Sequence, residues 1–158
     1  MKEIVSVIGG GSCAAEEYKV ARAIGGLLAE RNFVVLTGGL GGVMEAASRG
    51  AHEAGGLTVG VLPGQVREEA NPFVDIVLTT GLSEARNVIV ATSPRAVIAV
   101  GGSLGTLSEI AFALKHHIPV IGVGSWTLPE DRVPGEGVRP AATPAEAVDL
   151  VERLVRGE

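Results

Sequence analysis

Thr106 and Glu109 stand three residues apart, directly after Gly101-Gly102-Ser103-Leu104-Gly105, and the apolar run Val97–Val100 feeds the whole segment. A buried strand, a glycine turn and a helix start, in that order, build an anion site. Glycine lets the backbone approach a ligand closely, and the free N–H groups and dipole of the new helix attract negative charge. Phosphate is the natural guest, with the Glu109 carboxylate beside it. The same Thr106-Leu107-Ser108-Glu109 also fits a capping box, in which threonine and glutamate satisfy the helix's own orphan N–H groups. Taken alone, the segment favours plain capping, and the rest of the chain must decide.

Positioning such a site takes an alternating chain. Strand-like runs at Ile4–Ile8, Phe33–Thr37, Thr58–Leu62, Asp75–Thr79, Val97–Val100 and Pro119–Val123 alternate with helix-like segments at Ala14–Arg31, Gly42–Ala54, Ser83–Thr92, Gly105–His116 and Pro144–Arg156. The strands are nearly continuous apolar runs, as expected where both faces of a parallel sheet are covered. The expected fold is α/β: a Rossmann-like doubly wound, mostly parallel sheet flanked by helices on both faces. Thr143-Pro144-Ala145-Glu146 supplies the last helix with an N-cap, a first-turn proline and a capping-box glutamate. Ser83 can cap and Pro94 can stop the segment between them, although Val88, Ile89 and Val90 favour strands. Gly64–Pro72 and Gly124–Ala142 read as loops, either of which could cover a cleft.

In a doubly wound sheet the first strand is central and the chain later returns to its other side. The reversal opens a crevice at the carboxyl ends of the two strands that flank it. Three glycine-rich loops would meet there: Gly9-Gly10-Gly11-Ser12 after the first strand, Gly38-Gly39-Leu40-Gly41-Gly42 after the second, and Gly101–Thr106 after a later strand beside the first. From these loops Gly10, Gly11, Ser12, Gly38, Gly39, Gly41, Gly101, Gly102, Ser103, Gly105 and Thr106 are the expected phosphate- and nucleotide-binding residues. The first loop lacks G-x-G-x-x-G, no acidic residue ends the second strand, and no Gly-Lys-Ser/Thr marks a P-loop. A nucleoside monophosphate suits the pattern better than a dinucleotide.

Composition excludes other classes. At 158 residues and 46% hydrophobic content, the chain has room for one domain, residues 1–158, with a sizeable core. Thirteen basic residues scattered among eighteen acidic ones, for a net charge of −5, leave no cationic footprint for nucleic acid. Ile4–Ile8 is too short for the hydrophobic region of a signal peptide, and no run approaches the roughly 18 apolar residues that span a bilayer. A cytoplasmic protein with no membrane partner is expected. Cys13 would sit at a helix N-terminus, which stabilises a thiolate, but it has no partner base and reads as a small packing residue. His52, His116 and His117 lack metal-ligand spacing, so no metal site is expected. Glu45 begins a helix, where a carboxylate suits the dipole whatever the function.

The glycine motifs also carry a family resemblance. Gly101-Gly102-Ser103-Leu104-Gly105-Thr106-Leu107-Ser108-Glu109 resembles the PGGxGTxxE signature of the Lonely Guy (LOG) family, cytokinin riboside 5′-monophosphate phosphoribohydrolases. Gly38–Met44 resembles that family's second glycine motif, and Val7–Ser12 its opening loop. The run Gly41–Ala47 together with Ala85-Arg86-Asn87 is closer to the branch that contains molybdenum cofactor carrier proteins. The resemblance covers about residues 3–123.

It implies that Arg86 and Glu109 match the catalytic arginine and glutamate, that the glycines and Thr106 grip a 5′-phosphate, and that Asn87 hydrogen-bonds sugar or base. A carboxylate so placed would stabilise the positive charge that develops on ribose as the N-glycosidic bond breaks, and orient or deprotonate water, with no cofactor required. Val100 stands where the signature has proline, and Ser83-Glu84-Ala85-Arg86-Asn87 stands where the hydrolases have Met-His-Glu-Arg-Lys. The alternatives are hydrolysis of a nucleoside monophosphate to free base and ribose 5-phosphate, non-catalytic carriage of the molybdenum cofactor (a pterin bearing a phosphate), or nucleotide sensing. A homodimer or larger assembly is implied in each. Lys2 and Lys19 lie away from the glycine loops and Lys115 ends a helix, so lysine decarboxylase chemistry is not expected.

Overall fold

Strand β1 (Ile4–Gly9) turns Val5 and Val7 to one layer and Ile8 to the other, all nearly unexposed, so it must lie inside the sheet rather than at an edge. In the computed structural model, which describes residues 1–133 and 135–157, β1 is the middle strand of seven. Pro134, within the expected loop 124–142, and Glu158 lie outside the described residues. The other strands are β2 (Val34–Thr37), β3 (Thr58–Leu62), β4 (Ile76–Thr79), β5 (Ala96–Val100), β6 (Val120–Val123) and β7 (Val138–Pro140). Their order is β4-β3-β2-β1-β5-β6-β7, and every pairing is parallel. The expected doubly wound α/β sheet is therefore the observed one.

Helices α1 (Ala15–Glu30), α2 (Val43–Glu53) and α5 (Pro144–Arg156) cover one face, while α3 (Asn87–Thr92) and α4 (Leu104–Lys115) cover the other. The α5 boundaries are those expected: Thr143 Oγ1 accepts from the Glu146 N–H at 3.1 Å, and the Glu146 carboxylate accepts from the Ala142 N–H at 2.8 Å. No helix among the described residues is long and apolar enough to cross a membrane.

Three local expectations need correction. β7 lies inside the segment read as a loop; three residues with a proline at the end carry too little pattern to announce a strand. The segment Ser83–Thr92 is a 3-10 turn (Ser83–Arg86) followed by α3, and Ser83 caps nothing. Its φ is +53°, with its N–H bonded to Pro63 O at 2.9 Å. Val90 and Ala91 pack on the sheet, which explains why β-branched residues sit in this short helix. Asp75, expected to begin β4, instead precedes it, and its carboxylate accepts from the Thr58 N–H at 2.9 Å.

Helices α1 and α2 meet backbone to backbone. A Cβ added at Gly50 would overlap Arg22 O, and one at Gly25 would overlap Ala47 O. The bare glycines let α2 lie close to α1 and the sheet, and α2 in turn fixes the loop that precedes it. Gly50→Ala is expected to cost about 2 kcal/mol or more in urea unfolding, because backbone rather than a movable side chain must yield. Gly26→Ala, whose new methyl would stand 3.5 Å from Gly50 O, is expected to be neutral or to gain up to about 1 kcal/mol from helix propensity.

Candidate functional site

β1 and β5 pair from Val5↔Ala96 to Gly9↔Val100, so both strands end level and the loops that follow face each other. Between them lies a cleft of about 360 Å³. Gly9, Gly10 and Gly11 line one side; Ser103, Gly105, Thr106 and Glu109 line another; Met44, Pro63, Ser83, Glu84, Arg86 and Asn87 complete it.

Helix α4 begins earlier than its sequence pattern suggests. Gly101 and Gly102 take φ of +53° and +107°, and the chain leaves that turn through extended Ser103, the N-cap. The first helical bond runs from the Leu107 N–H to Ser103 O at 3.0 Å. Thr106 is therefore the third helical residue and not a cap, which overturns the capping-box reading of Thr106 and Glu109. Its Oγ1 is buried without a hydrogen-bond partner among the described residues. The N–H groups of Leu104, Gly105 and Thr106 have no acceptor within the helix. An orphan hydroxyl, three free N–H groups and the positive end of a helix thus share one spot, and that set of donors suits an anion.

Arg86 supplies the full positive charge. It is 9% exposed, its Nη1 donates to Asn87 Oδ1, and its Nη2 donates to Gly38 O at 3.5 Å. Its Nε is buried without a partner among the described residues. Gly38 makes room for this: a Cβ there would stand 2.8 Å from Arg86 Nη2 and 2.7 Å from Met44 Sδ. Asn87 Nδ2 donates to Ser108 Oγ at 3.4 Å, and Ser108 Oγ donates to Gly105 O at 2.6 Å. A continuous polar chain thereby ties the guanidinium to the first turn of α4.

Glu109 lies one turn below Thr106 and is 7% exposed. Among the described residues Arg86 makes no ion pair within 4.0 Å. Burial pushes the Glu109 carboxyl up to about 7, against the weaker pull of the Arg86 charge. Burial likewise lowers Arg86, against the pull of Glu109. Each charge is thus incompletely compensated, and an arriving phosphate would neutralise Arg86 while favouring the protonated form of Glu109.

Of the residues expected from sequence, Gly10, Gly11, Arg86, Asn87, Ser103, Gly105, Thr106 and Glu109 meet at this cleft. Ser12 is exposed outside the lining. Gly101 and Gly102 border an adjoining hollow with Glu17 and Trp126. Gly38, Gly39 and Gly41 stand behind the wall: Gly38 against Arg86, Gly39 O accepting from the Asn71 N–H at 2.9 Å, and Gly41 beside Gly11 O. Sequence reasoning did not single out Met44, Pro63, Ser83 or Glu84; the signal for the last two was only their closeness to Arg86.

The loop after β6 braces the glycine turn rather than covering the cleft, since Ser125 Oγ donates to Gly101 O at 2.6 Å and Trp126 Nε1 to Ser103 O at 3.1 Å. A larger hollow of about 800 Å³ is lined by Gly122, Trp126, Leu128, Val133, Val138 and Ala141 among others. The two orphaned buried side-chain atoms among the described residues, Arg86 Nε and Thr106 Oγ1, both belong to the smaller cleft. Chemistry therefore points there. Burial, then the Glu17 charge, push the Cys13 thiol up, and Cys13 packs against the core as expected.

Residues 2–148 match the SLOG cluster4 family. The structure is similar to the molybdenum cofactor binding protein from the phototrophic bacterium Rippkaea orientalis, at 39% identity and a TM-score of 0.90 over 98% of each chain. It is also similar to the Moco carrier protein from Chlamydomonas reinhardtii, at 37% identity and a TM-score of 0.89 over 100% of each chain. A cytokinin riboside 5′-monophosphate phosphoribohydrolase from Mycobacterium tuberculosis is 31% identical over 71% of this chain and 65% of its own length.

The raised Glu109 carboxyl has a consequence for stability. Its folded value of about 7 exceeds the ordinary 4.5, so its contribution is most favourable below pH 4.5 and is lost as pH rises to 7. The loss amounts to about 3 kcal/mol. Glu109→Gln is expected to unfold at higher urea concentration than the wild type at pH 8, by roughly that energy, with most of the difference gone by pH 5. A pH-independent difference would show that Glu109 ionises normally.

Proposed function

The chain belongs to the SLOG cluster4 family, and from that premise we propose that it grips the phosphate of a small heterocyclic monophosphate in the cleft between the β1 and β5 loops. The observation that carries this reading is the pair of buried, unpartnered atoms Thr106 Oγ1 and Arg86 Nε. Leaving such groups unmatched costs about 1–3 kcal/mol each, which ligand oxygens recover on binding. Gly10, Gly11, Ser103 and Gly105 would offer close backbone approach, Thr106 its hydroxyl and Arg86 its charge, with Asn87 orienting the guanidinium.

Two ligands suit the site, a nucleoside 5′-monophosphate and the phosphate-bearing pterin of the molybdenum cofactor, the latter as cargo. Carriage is supported by the Rippkaea and Chlamydomonas proteins, whose likeness extends along the whole chain. Hydrolysis is the second reading, favoured by Glu109: ionised beside Arg86, it would stabilise positive charge on ribose and accept a proton from water, releasing base and ribose 5-phosphate. We further propose a cytoplasmic homodimer or larger assembly. The net charge of −5 supports a small-molecule partner over nucleic acid.

Thr106→Val tests the phosphate grip. Calorimetric affinity for AMP and GMP is expected to fall about tenfold or more, as for the loss of a hydrogen bond to a charged group. The unliganded variant should resist urea better, because the orphan hydroxyl is gone. Unchanged affinity would sink the phosphate reading.

A panel of nucleoside monophosphates separates the two outcomes of binding. Hydrolysis predicts free base, released faster as pH rises through about 7 and not at all by Glu109→Gln. Binding without release by the wild type supports carriage.

A further inference from the structure

We infer that Ser83 and Glu84 read a 2-amino-4-oxopyrimidine edge, so that the cleft takes a guanine nucleotide or a phosphorylated pterin in preference to an adenine nucleotide. The inference rests on the phosphate reading above and adds to it the identity of the ring.

Charge poses the problem. The cleft's lining holds one arginine and two carboxylates, Glu84 and Glu109, a poor balance for a site that accepts phosphate. Glu109 escapes repulsion by holding its proton, as its buried position favours. Glu84 is exposed and reaches the cleft from the turn after β4 rather than from the buried start of α4. It makes no ion pair and no side-chain hydrogen bond among the described residues. A free carboxylate beside a phosphate site is accounted for when the rest of the ligand brings N–H donors to it.

The neighbouring residue completes a pattern. Ser83 also lines the cleft and its hydroxyl bonds to no other described residue. Its backbone is held at φ +53°, by the bond from its N–H to Pro63 O at 2.9 Å, in a region that a non-glycine residue occupies only under strain. Ser83 is exposed at the cleft's mouth, so its hydroxyl is free to meet a ligand. Together Ser83 and Glu84 offer one hydroxyl donor and two adjacent carboxylate acceptors. Guanine and pterins present the complement: a carbonyl oxygen, a ring N–H and an amino group in a row. Adenine presents an amino donor and then a bare ring nitrogen, whose lone pair would face the carboxylate. Sites built to pair a polar edge reject analogues that leave it unpaired. A volume of about 360 Å³ is enough for one such ring with its phosphate arm.

The test is calorimetry of the intact protein at pH 7.5 with four probes: GMP, neopterin monophosphate, IMP and AMP. GMP, neopterin monophosphate or both should bind about tenfold or more tightly than AMP, with IMP, which lacks the amino group, weaker than GMP. Which of the two binds tightly identifies the source of the ring. In Glu84→Gln the GMP-to-AMP ratio should fall toward one, and since Glu84 is exposed, the variant's thermal unfolding should match the wild type. Equal affinity for all four probes, still weakened by Thr106→Val, would overturn this inference and leave the phosphate reading intact. A GMP preference that survives Glu84→Gln would overturn the residue assignment. Failure of all four to bind would overturn both readings.

Discussion

The parallel pairing of β1 with β5 is the constraint on which the rest depends. It unites the two halves of the chain at the point where the winding reverses, and its last register pair, Gly9↔Val100, sets both following loops at one height. Each loop is then held by backbone. The Val43 N–H donates to Gly10 O at 3.0 Å, hooking α2 onto the first loop, while Ser125 and Trp126 pin the carbonyls of Gly101 and Ser103. The cleft is thus framed by loops bonded to other elements, while Thr106 Oγ1 and Arg86 Nε have no partner among the described residues.

That freedom costs stability locally. Thr106 keeps an unpaired hydroxyl, Arg86 an unpaired Nε, Glu109 a carboxyl that resists ionising, and Ser83 a strained backbone. All four border one cleft. Elsewhere apolar strands pack on both faces, α5 carries its full cap, and α1 and α2 touch where glycines permit it. Positive φ also occurs at Asn32 and His117, just after α1 and α4, but the orphaned buried side-chain atoms among the described residues both lie at this cleft.

The sheet was legible because parallel strands buried on both faces are written as plain apolar runs, and because proline, glycine and Thr143 punctuate the helices. β7 was not legible, since three residues at a sheet edge carry no periodicity. At the site, the glycine loops and the Arg86–Glu109 pair could be read from spacing and resemblance. Two things could not. Spacing cannot say which residue starts a helix, and a cap at Ser103, three residues before Thr106, turned Thr106 from a cap into an orphan. Nor can it say that Gly38 lies against Arg86, because that depends on a side chain arriving from 48 positions away.

What the cleft can do to a guest turns on the ionisation of Glu109. Glycosidic cleavage needs the carboxylate, yet burial already lifts the group to about 7, and a bound phosphate dianion would lift it further. Only nearby cations could reverse this. The hydrolase signature puts a lysine after the arginine; here that position is Asn87, a neutral residue that binds the guanidinium itself. Among the described residues Arg86 is the one cation in the lining, and phosphate would claim much of its charge. While Glu109 holds its proton it can donate a hydrogen bond to a guest, and once ionised it can accept a proton from water, so the pH range around 7 decides which chemistry the carboxyl offers.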